Sequence, residues 1–323
     1  MTRHVAVLGL RYPEHSVEEQ ALDGLDADLV TGMGRTADEI ISLAGDAEVV
    51  IAGSLPRFTA GVIDRLGVRA IVRAGIGTDN IDLEAARAKG SMWVSYVPDY
   101  GTEAVAQHTI AMGLAATRRL LEADAVVRTG EWGFDDLRPL RLPSSLTAGV
   151  LGFGRIGRRV AELASAIGFG EVLVHDPHAT VAGVVGARPT DAATVLANAD
   201  VLFLHAPAPT DGSALIGEPE LATMKVGSVL VNTSRGALVD LEALARAMER
   251  GAPRVVALDV FSPEPPALSA LSPVLGRCIL SPHMAWYTVE SQLALRERAA
   301  ADAARILRGE APAHPLVTPK EHA

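Results

Sequence analysis

Three short segments of the 323-residue chain end strand-like runs in residues that can bind an anion or move a proton. They are Asn232-Thr233-Ser234-Arg235-Gly236, Leu258-Asp259-Val260-Phe261-Ser262-Pro263-Glu264-Pro265 and Ser281-Pro282-His283-Met284-Ala285-Trp286. In an open parallel sheet, ligands bind at the carboxyl ends of the strands, so the pattern predicts Arg235, Glu264 and His283 along one edge. An arginine grips a carboxylate through paired N–H donors and polarises a carbonyl beside it. A protonated imidazole delivers a proton to an oxygen that is gaining charge, commonly worth about 10²–10⁴ in rate. A neighbouring carboxylate orients that ring and raises its affinity for the proton. These are the groups needed to reduce a 2-oxo acid or, in reverse, to oxidise a 2-hydroxy acid. Taken singly, each has a plainer role: a surface arginine, a solvated glutamate between prolines, a histidine closing a strand. Their order along three successive strands carries the reading.

Such chemistry needs a hydride carrier, and the sequence has a place for one. Gly149-Val150-Leu151-Gly152-Phe153-Gly154-Arg155-Ile156-Gly157 is a G-x-G-x-x-G between a strand and an amphipathic run. Gly152 permits the tight turn, Gly154 lets the backbone approach a pyrophosphate, and Gly157 allows close helix–strand packing. The N–H groups at the start of the following helix, from Arg155 and Ile156 onward, face the anion. With 30 glycines in the chain the motif alone is weak. The next strand, Glu171–His175, strengthens it by ending in Asp176, where a carboxylate accepts from ribose hydroxyls and repels a 2′-phosphate. NAD is therefore expected rather than NADP. His175 and His178 read as exposed loop histidines.

The elements that must position these residues follow from periodicity. Strand-like runs at 5–10, 48–53, 70–73 and 93–97 alternate with helical patterns at 59–66 and 83–89. A second series starts at Ala148 and continues through 171–175, 201–205, 228–232, 254–259 and 278–281, with helical runs at 155–167, 191–197, 218–224 and 241–249. Each parallel crossover needs a connection long enough for a helix, so the alternation predicts an α/β protein with two doubly wound parallel sheets. One long helix over 102–128 is expected between the two series, a last helix over 289–307, and an irregular tail from Gly309 with Pro312, Pro315 and Pro319. In the simplest layout the last helix returns to the first domain and the middle of the chain is an insertion.

Composition narrows the partners. The formal charge of −10 disfavours nucleic acid and anionic membrane, and Arg118–Arg119 and Arg158–Arg159 read as solvated helix faces. The single cysteine, Cys278, lies in an apolar run and reads as a small buried hydrophobe. The start of the chain has no long apolar stretch, and no run of about 18 uncharged apolar residues occurs, so neither a signal peptide nor a spanning helix is expected. A cytoplasmic protein with no metal at its site is the resulting expectation.

With these motifs in this order the chain resembles the D-isomer-specific 2-hydroxyacid dehydrogenases, from about Val49 to about Leu307. Arg73-Ala74-Gly75-Ile76-Gly77-Thr78-Asp79-Asn80-Ile81-Asp82 belongs to the same set, with 150–157, 231–236, 258–265 and 281–286. The resemblance implies that Arg235 binds and orients substrate, that His283 is the acid/base and that Glu264 is its partner. It implies that backbone amides at Ile76 and Gly77 hold the substrate carboxylate, and that Asp259 holds the nicotinamide carboxamide. His205, Ala206, Pro207, Thr233 and Ser234 would line the cofactor. It also implies a flavodoxin-like substrate domain, residues 1–99 and 287–323, interrupted by a Rossmann cofactor domain, residues 100–286, and a homodimer joined through about 102–128.

Departures bear on substrate. Phosphoglycerate dehydrogenases place an arginine before the serine of the segment that here reads Ala52-Gly53-Ser54-Leu55-Pro56-Arg57, which argues against 3-phosphoglycerate. Formate dehydrogenases of this fold carry glutamine where this chain has Glu264, which disfavours formate. Gln107-His108 stands where the family often has Glu-His. The segment from Pro282 to Thr288, with Leu295-Arg296-Glu297, resembles the C-terminal binding protein branch, whose tryptophan lines the substrate pocket; Trp286 is the matching residue. Two rivals accompany the main reading: a dehydrogenase for phosphite or a phosphonate analogue, and an NAD-sensing corepressor-like scaffold.

Overall fold

Apolar β-branched runs form strands and the amphipathic runs between them form helices, in alternation along the whole chain. The computed structural model describes residues 3–10, 12–181, 183–209 and 211–320. In chain order the elements are β1 (Arg3–Leu8), α1 (Ser16–Leu22), β2 (Ala27–Gly32), α2 (Ala37–Ala44), β3 (Val49–Ala52), α3 (Ala60–Arg65), β4 (Ala70–Arg73), α4 (Leu83–Lys89) and β5 (Trp93–Tyr96). There follow α5 (Thr102–Thr117), α6 (Leu120–Arg128), β6 (Thr147–Leu151), α7 (Arg155–Ile167), β7 (Glu171–His175), β8 (Ala187–Pro189), α8 (Ala192–Asn198) and β9 (Val201–Leu204). Then come α9 (Glu218–Thr223), β10 (Val229–Asn232), α10 (Leu241–Glu249), β11 (Val255–Leu258), β12 (Cys278–Leu280), α11 (Val289–Leu307) and β13 (Pro315–Val317). The chain divides into two compact units, Met1–Gly101 with Thr288–Ala323, and Thr102–Tyr287.

The first unit is built on a six-stranded sheet in the order β13-β5-β4-β3-β1-β2. Its five parallel strands run in the flavodoxin-like order, reversing between β1 and β3. β3 and β4 are buried at every residue, as expected of a parallel sheet covered on both faces. The last helix, α11, starts at Thr288, whose side chain accepts from Ser291 N, and packs on α1, β3 and β4. Arg296 on α11 donates from Nε and Nη2 to the two carboxylate oxygens of Glu18 on α1, at 2.9 and 2.6 Å, while its guanidinium lies 4.3 Å from the Tyr12 ring centroid. Glu18 is only 1% exposed, so this paired, bidentate bond is what makes a charge there tolerable. The tail is not wholly irregular: Pro315 and Val317 pair antiparallel with Ser95 and Val94 of β5. Three residues with a proline give almost no strand signal, and a neighbouring edge supplies the pairing.

The second unit carries a seven-stranded, all-parallel sheet in the order β12-β11-β10-β9-β6-β7-β8, a Rossmann order with one added strand. Strand parity divides the core. Leu202, Leu204, Leu230 and Leu258 join Leu221 and Leu244 in one cluster, whereas Val201, Phe203, Val231 and Ala257 join Ile110 and Val160 in another. The expected single helix over 102–128 is in fact two. Arg119 adopts a left-handed φ of 52° and breaks the run, and its guanidinium then bonds Glu122 and the carbonyl of Asp136. α5 has eight buried residues and α6 has none. Among the described residues, no helix is long and apolar enough to cross a membrane.

Candidate active site

The sheet order of the second unit reverses between β6 and β9, and the backbones touch there. Gly152, just after β6, has a φ of 95°, and a Cβ on it would overlap the carbonyl of His205 and the amide nitrogen of Ala206, just after β9. Gly157 on α7 lies so close to the Gly152 carbonyl that only hydrogen fits between them. Gly154, the N-cap of α7, faces open space and carries no side-chain cap. Two glycines thus close the turn, and the third leaves an open approach to the amino end of a 13-residue helix that begins with Arg155 and Ile156.

Asp176 follows β7 and is tied into the same turn. One carboxylate oxygen accepts from Phe153 N at 2.6 Å, the other from His178 N at 2.7 Å and Ala179 N at 3.0 Å. Burial works against ionisation, but the three backbone N–H bonds outweigh it and hold the carboxyl below its ordinary value. His205 Nε2 is buried and has no hydrogen-bond partner, and burial pushes this imidazole down to about 3. Ala206 precedes Pro207, and its carbonyl accepts from Ser234 Oγ at 2.9 Å. An open glycine cradle at a helix start, an anchored carboxylate at the second strand and an orphaned imidazole nitrogen beside the crevice fit a bound dinucleotide.

The reacting groups stand in the turns after β10, β11 and β12, which are adjacent strands. His283 Nδ1 lies 2.7 Å from Glu264 Oε2, and Glu264 Oε1 accepts from Phe261 N at 3.0 Å. The carboxylate is thereby held at both oxygens. The imidazole donates Nδ1–H to it and keeps Nε2 for proton transfer. Both side chains are partly exposed, 48% and 37%, so the pair is within reach of a ligand. His283 itself is left-handed, with φ 52°. Its N–H donates to the Asp259 carbonyl at 2.7 Å, and the next two amides, Met284 N and Ala285 N, donate to the Asp259 carboxylate at 2.9 Å each. Ser281 Oγ gives that carboxylate a further bond at 2.5 Å. Asp259 is 1% exposed and three of its lone pairs serve the His283 turn.

Arg235 is set by a different clamp. Asn232 Oδ1 accepts from Ser234 N at 3.1 Å and Asn232 Nδ2 donates to the Arg235 carbonyl at 2.8 Å, which pins the turn after β10 at both ends. The guanidinium donates to the Ser234 carbonyl at 2.8 Å. A Cβ on Gly236 would overlap the backbone of Phe261, so the arginine turn packs directly on the turn that carries Glu264. Trp286 stacks edge-on against Tyr287, with ring centroids 5.7 Å apart.

Ile76 and Gly77 belong to the first unit, in the loop after β4, where Ile76 is 38% exposed. That loop is organised by Asn80, which donates to the carbonyls of Gly53 and Pro56 and accepts from Arg73 Nε. Gly53 is itself forced: a Cβ there would overlap the Gly9 carbonyl. Neither Asn80 within its motif nor Ser281, Thr109 or Gln107-His108 carries a local signal for a task, yet His108 Nε2 lies 3.2 Å from Ser281 Oγ. Gln107 Nε2 instead donates to Glu103 at the exposed surface.

Comparison with known proteins identifies the family. The family model described as "D-isomer specific 2-hydroxyacid dehydrogenase, NAD binding domain" matches residues 110–285. D-3-phosphoglycerate dehydrogenase of Archaeoglobus fulgidus is 34% identical over 92% of this chain and 56% of its own, so the chain spans only about half of that relative. Glyoxylate reductase of Aeropyrum pernix is 34% identical over 85% of this chain and 84% of its own. The crystal structure of D-lactate dehydrogenase from Aquifex aeolicus complexed with NAD and lactic acid is similar with a TM-score of 0.85 at 27% identity, covering 98% of this chain and 100% of that one. A family match over more than half the residues, together with the sheet orders and the glycine turn, places the chain in the NAD-dependent D-isomer-specific 2-hydroxyacid dehydrogenase family.

Proposed function

We propose that the protein interconverts a small 2-oxo acid and its D-2-hydroxy acid with NAD(H). The observation that carries this reading is the His283–Glu264 bond at 2.7 Å, at the carboxyl edge of the sheet that holds the glycine turn. When bound, the nicotinamide supplies a hydride to the substrate C2 or takes it back. In the reducing direction His283 Nε2 gives its proton to the carbonyl oxygen, and Glu264 keeps the resulting ring oriented through Nδ1. Arg235 grips the substrate carboxylate and draws charge from the carbonyl beside it. Amides at Ile76 and Gly77 hold the same carboxylate, and Trp286 shapes the remainder of the pocket. Gly152, Gly154, Arg155, Ile156 and Gly157 cradle the pyrophosphate, while Asp176 sets the preference for NAD. His205, Ala206, Pro207, Thr233 and Ser234 line the cofactor, and the remaining lone pair of Asp259 serves the carboxamide.

In this reading the first unit receives substrate and the second holds the cofactor. A substrate without a phosphate fits best, because Gly53 has no room for the side chain that phosphoglycerate dehydrogenases carry there. A homodimer is part of the proposal: α6 buries none of its residues and exposes Leu120, Leu121 and Val127, followed by Trp132 at 91% and Phe134 at 60%. A cytoplasmic location is proposed with it, since the chemistry draws on the intracellular NAD pool. The test is NADH oxidation at 340 nm against glyoxylate, hydroxypyruvate, pyruvate, longer 2-oxo acids and phosphonopyruvate. NADPH runs in parallel. Turnover of a carboxylate class with NADH is expected. Silence across the carboxylates, with NADH binding verified by fluorescence, would overturn the reading.

A further inference from the structure

Two consecutive residues of α5 reach two different reacting turns. Neighbouring helix positions point about 100° apart, so residues 108 and 109 can address separate strand ends. His108 Nε2 lies 3.2 Å from Ser281 Oγ, just past β12. Thr109 Oγ1 lies 2.6 Å from Thr233 Oγ1, just past β10. β11 runs between those strands, so the two contacts straddle the middle of the reacting edge.

Proton counting fixes the direction of each bond. Ser281 has one hydroxyl proton, which goes to Asp259 Oδ1 at 2.5 Å, so its oxygen accepts from His108 Nε2–H. Asp259 in turn holds Met284 N and Ala285 N, the amides that follow His283. His283 is left-handed, a conformation a residue with a side chain keeps only where its surroundings hold it. On the other side, Thr109 gives its proton to the Val105 carbonyl at 2.7 Å and accepts from Thr233. Thr233 begins the turn that ends in Arg235. Thr109 is fully buried, so water does not replace that bond, and Gly113 one turn further on rides against the Phe203 ring, which keeps α5 down on the sheet.

We propose that α5 sets the distance between the proton-transfer turn and the anion-binding turn, with His108 and Thr109 as positioning residues. His108 acts on His283 through Ser281 and Asp259; Thr109 acts on Arg235 through Thr233. The proposal rests on the roles given above to His283 and Arg235, and its test separates the two claims.

The experiment pairs a donor-removing with a donor-keeping change at each site and reads steady-state kinetics together with amide hydrogen exchange of the cofactor-free protein. His108→Phe should lower kcat about tenfold with the 2-oxo acid KM within about twofold, the scale of one lost hydrogen bond. Exchange at Met284 and Ala285 should quicken about tenfold while that at Ser234 is unmoved. His108→Gln, which retains a donor, should recover most of the loss. Thr109→Val should do the reverse, raising KM about tenfold and loosening Ser234 but not Met284 or Ala285, with Thr109→Ser as its rescue. If both donor-removing variants loosen both turns alike, or neither moves its own turn, α5 is a scaffold only and the proposal falls. If the exchange pattern holds but the wild-type protein turns over no 2-oxo acid, the assigned activity fails and the positioning by α5 stands.

Discussion

The glycine turn after β6 and the turns after β10, β11 and β12 lie on one sheet edge, yet they are built in opposite ways. The first is made by what is missing: Gly152 and Gly157 let three backbone segments meet where a single methyl would separate them. Its glycines fall within six residues, and its distant contacts are Asp176 and the His205–Ala206 backbone. The second is made by side chains that reach far along the sequence. His108 lies 173 residues from Ser281, and Thr109 lies 124 from Thr233. A turn held by backbone contact is intolerant of added volume, whereas one held by hydrogen bonds is intolerant of a lost donor.

The strongest challenge to this contrast is His283→Ala. Turnover should fall by about 10²–10⁴ while NADH affinity changes little, because the side chain belongs to the second construction and not the first. A fluorescence titration beside single-turnover rates checks it, and near-normal turnover would remove His283 from its role. The glycines sharpen the comparison further. Gly157→Ala meets the Gly152 carbonyl and should cost about 1–3 kcal/mol in urea unfolding along with much of the NADH affinity. Gly154→Ala meets open space, so stability should stay within about 0.5 kcal/mol while the NADH Kd rises about tenfold. Equal stability losses at the two positions would show that backbone contact is not what closes this turn.

A pH dependence is expected from His205. Its folded-state value of about 3 lies below the ordinary 6.5, so the unfolded chain takes up the proton first. Stability is therefore complete above about pH 6.5 and declines as pH falls toward 3, by about 1.4 kcal/mol per unit within that window. His205→Asn should flatten this part of the profile, measured by urea unfolding between pH 7 and 5. An unchanged slope would show that the ring is not desolvated as the buried Nε2 indicates.

How much of this was legible depended on where the information lies. The helices at Leu83–Lys89, Arg155–Ile167, Leu241–Glu249 and Val289–Leu307 match the periodicity to the residue, and three of them begin at a capping side chain, Asp82, Asp240 or Thr288. The stretch 16–44 carries no strong periodicity. β2 alternates only weakly between partly buried and exposed positions, and α1 is a short acidic helix with no side-chain cap. Thr36 does cap α2, the one local start signal in this stretch that the structure uses.

At the site, residue types and their order after successive strands were sufficient to name Arg235, Glu264 and His283 as a set, and the G-x-G-x-x-G with its downstream aspartate sufficed for a dinucleotide turn. Both are local patterns, because strand ends and absent side chains are written in neighbouring residues. Tertiary structure alone decided which oxygen of Glu264 meets the imidazole, that Asp259 spends most of its carboxylate on the His283 turn, that Gly53 has no room for a side chain, and that His108 and Thr109 serve different strands. Those outcomes depend on the register of a seven-stranded sheet and on how closely α5 lies on it, and hydrophobic periodicity carries neither.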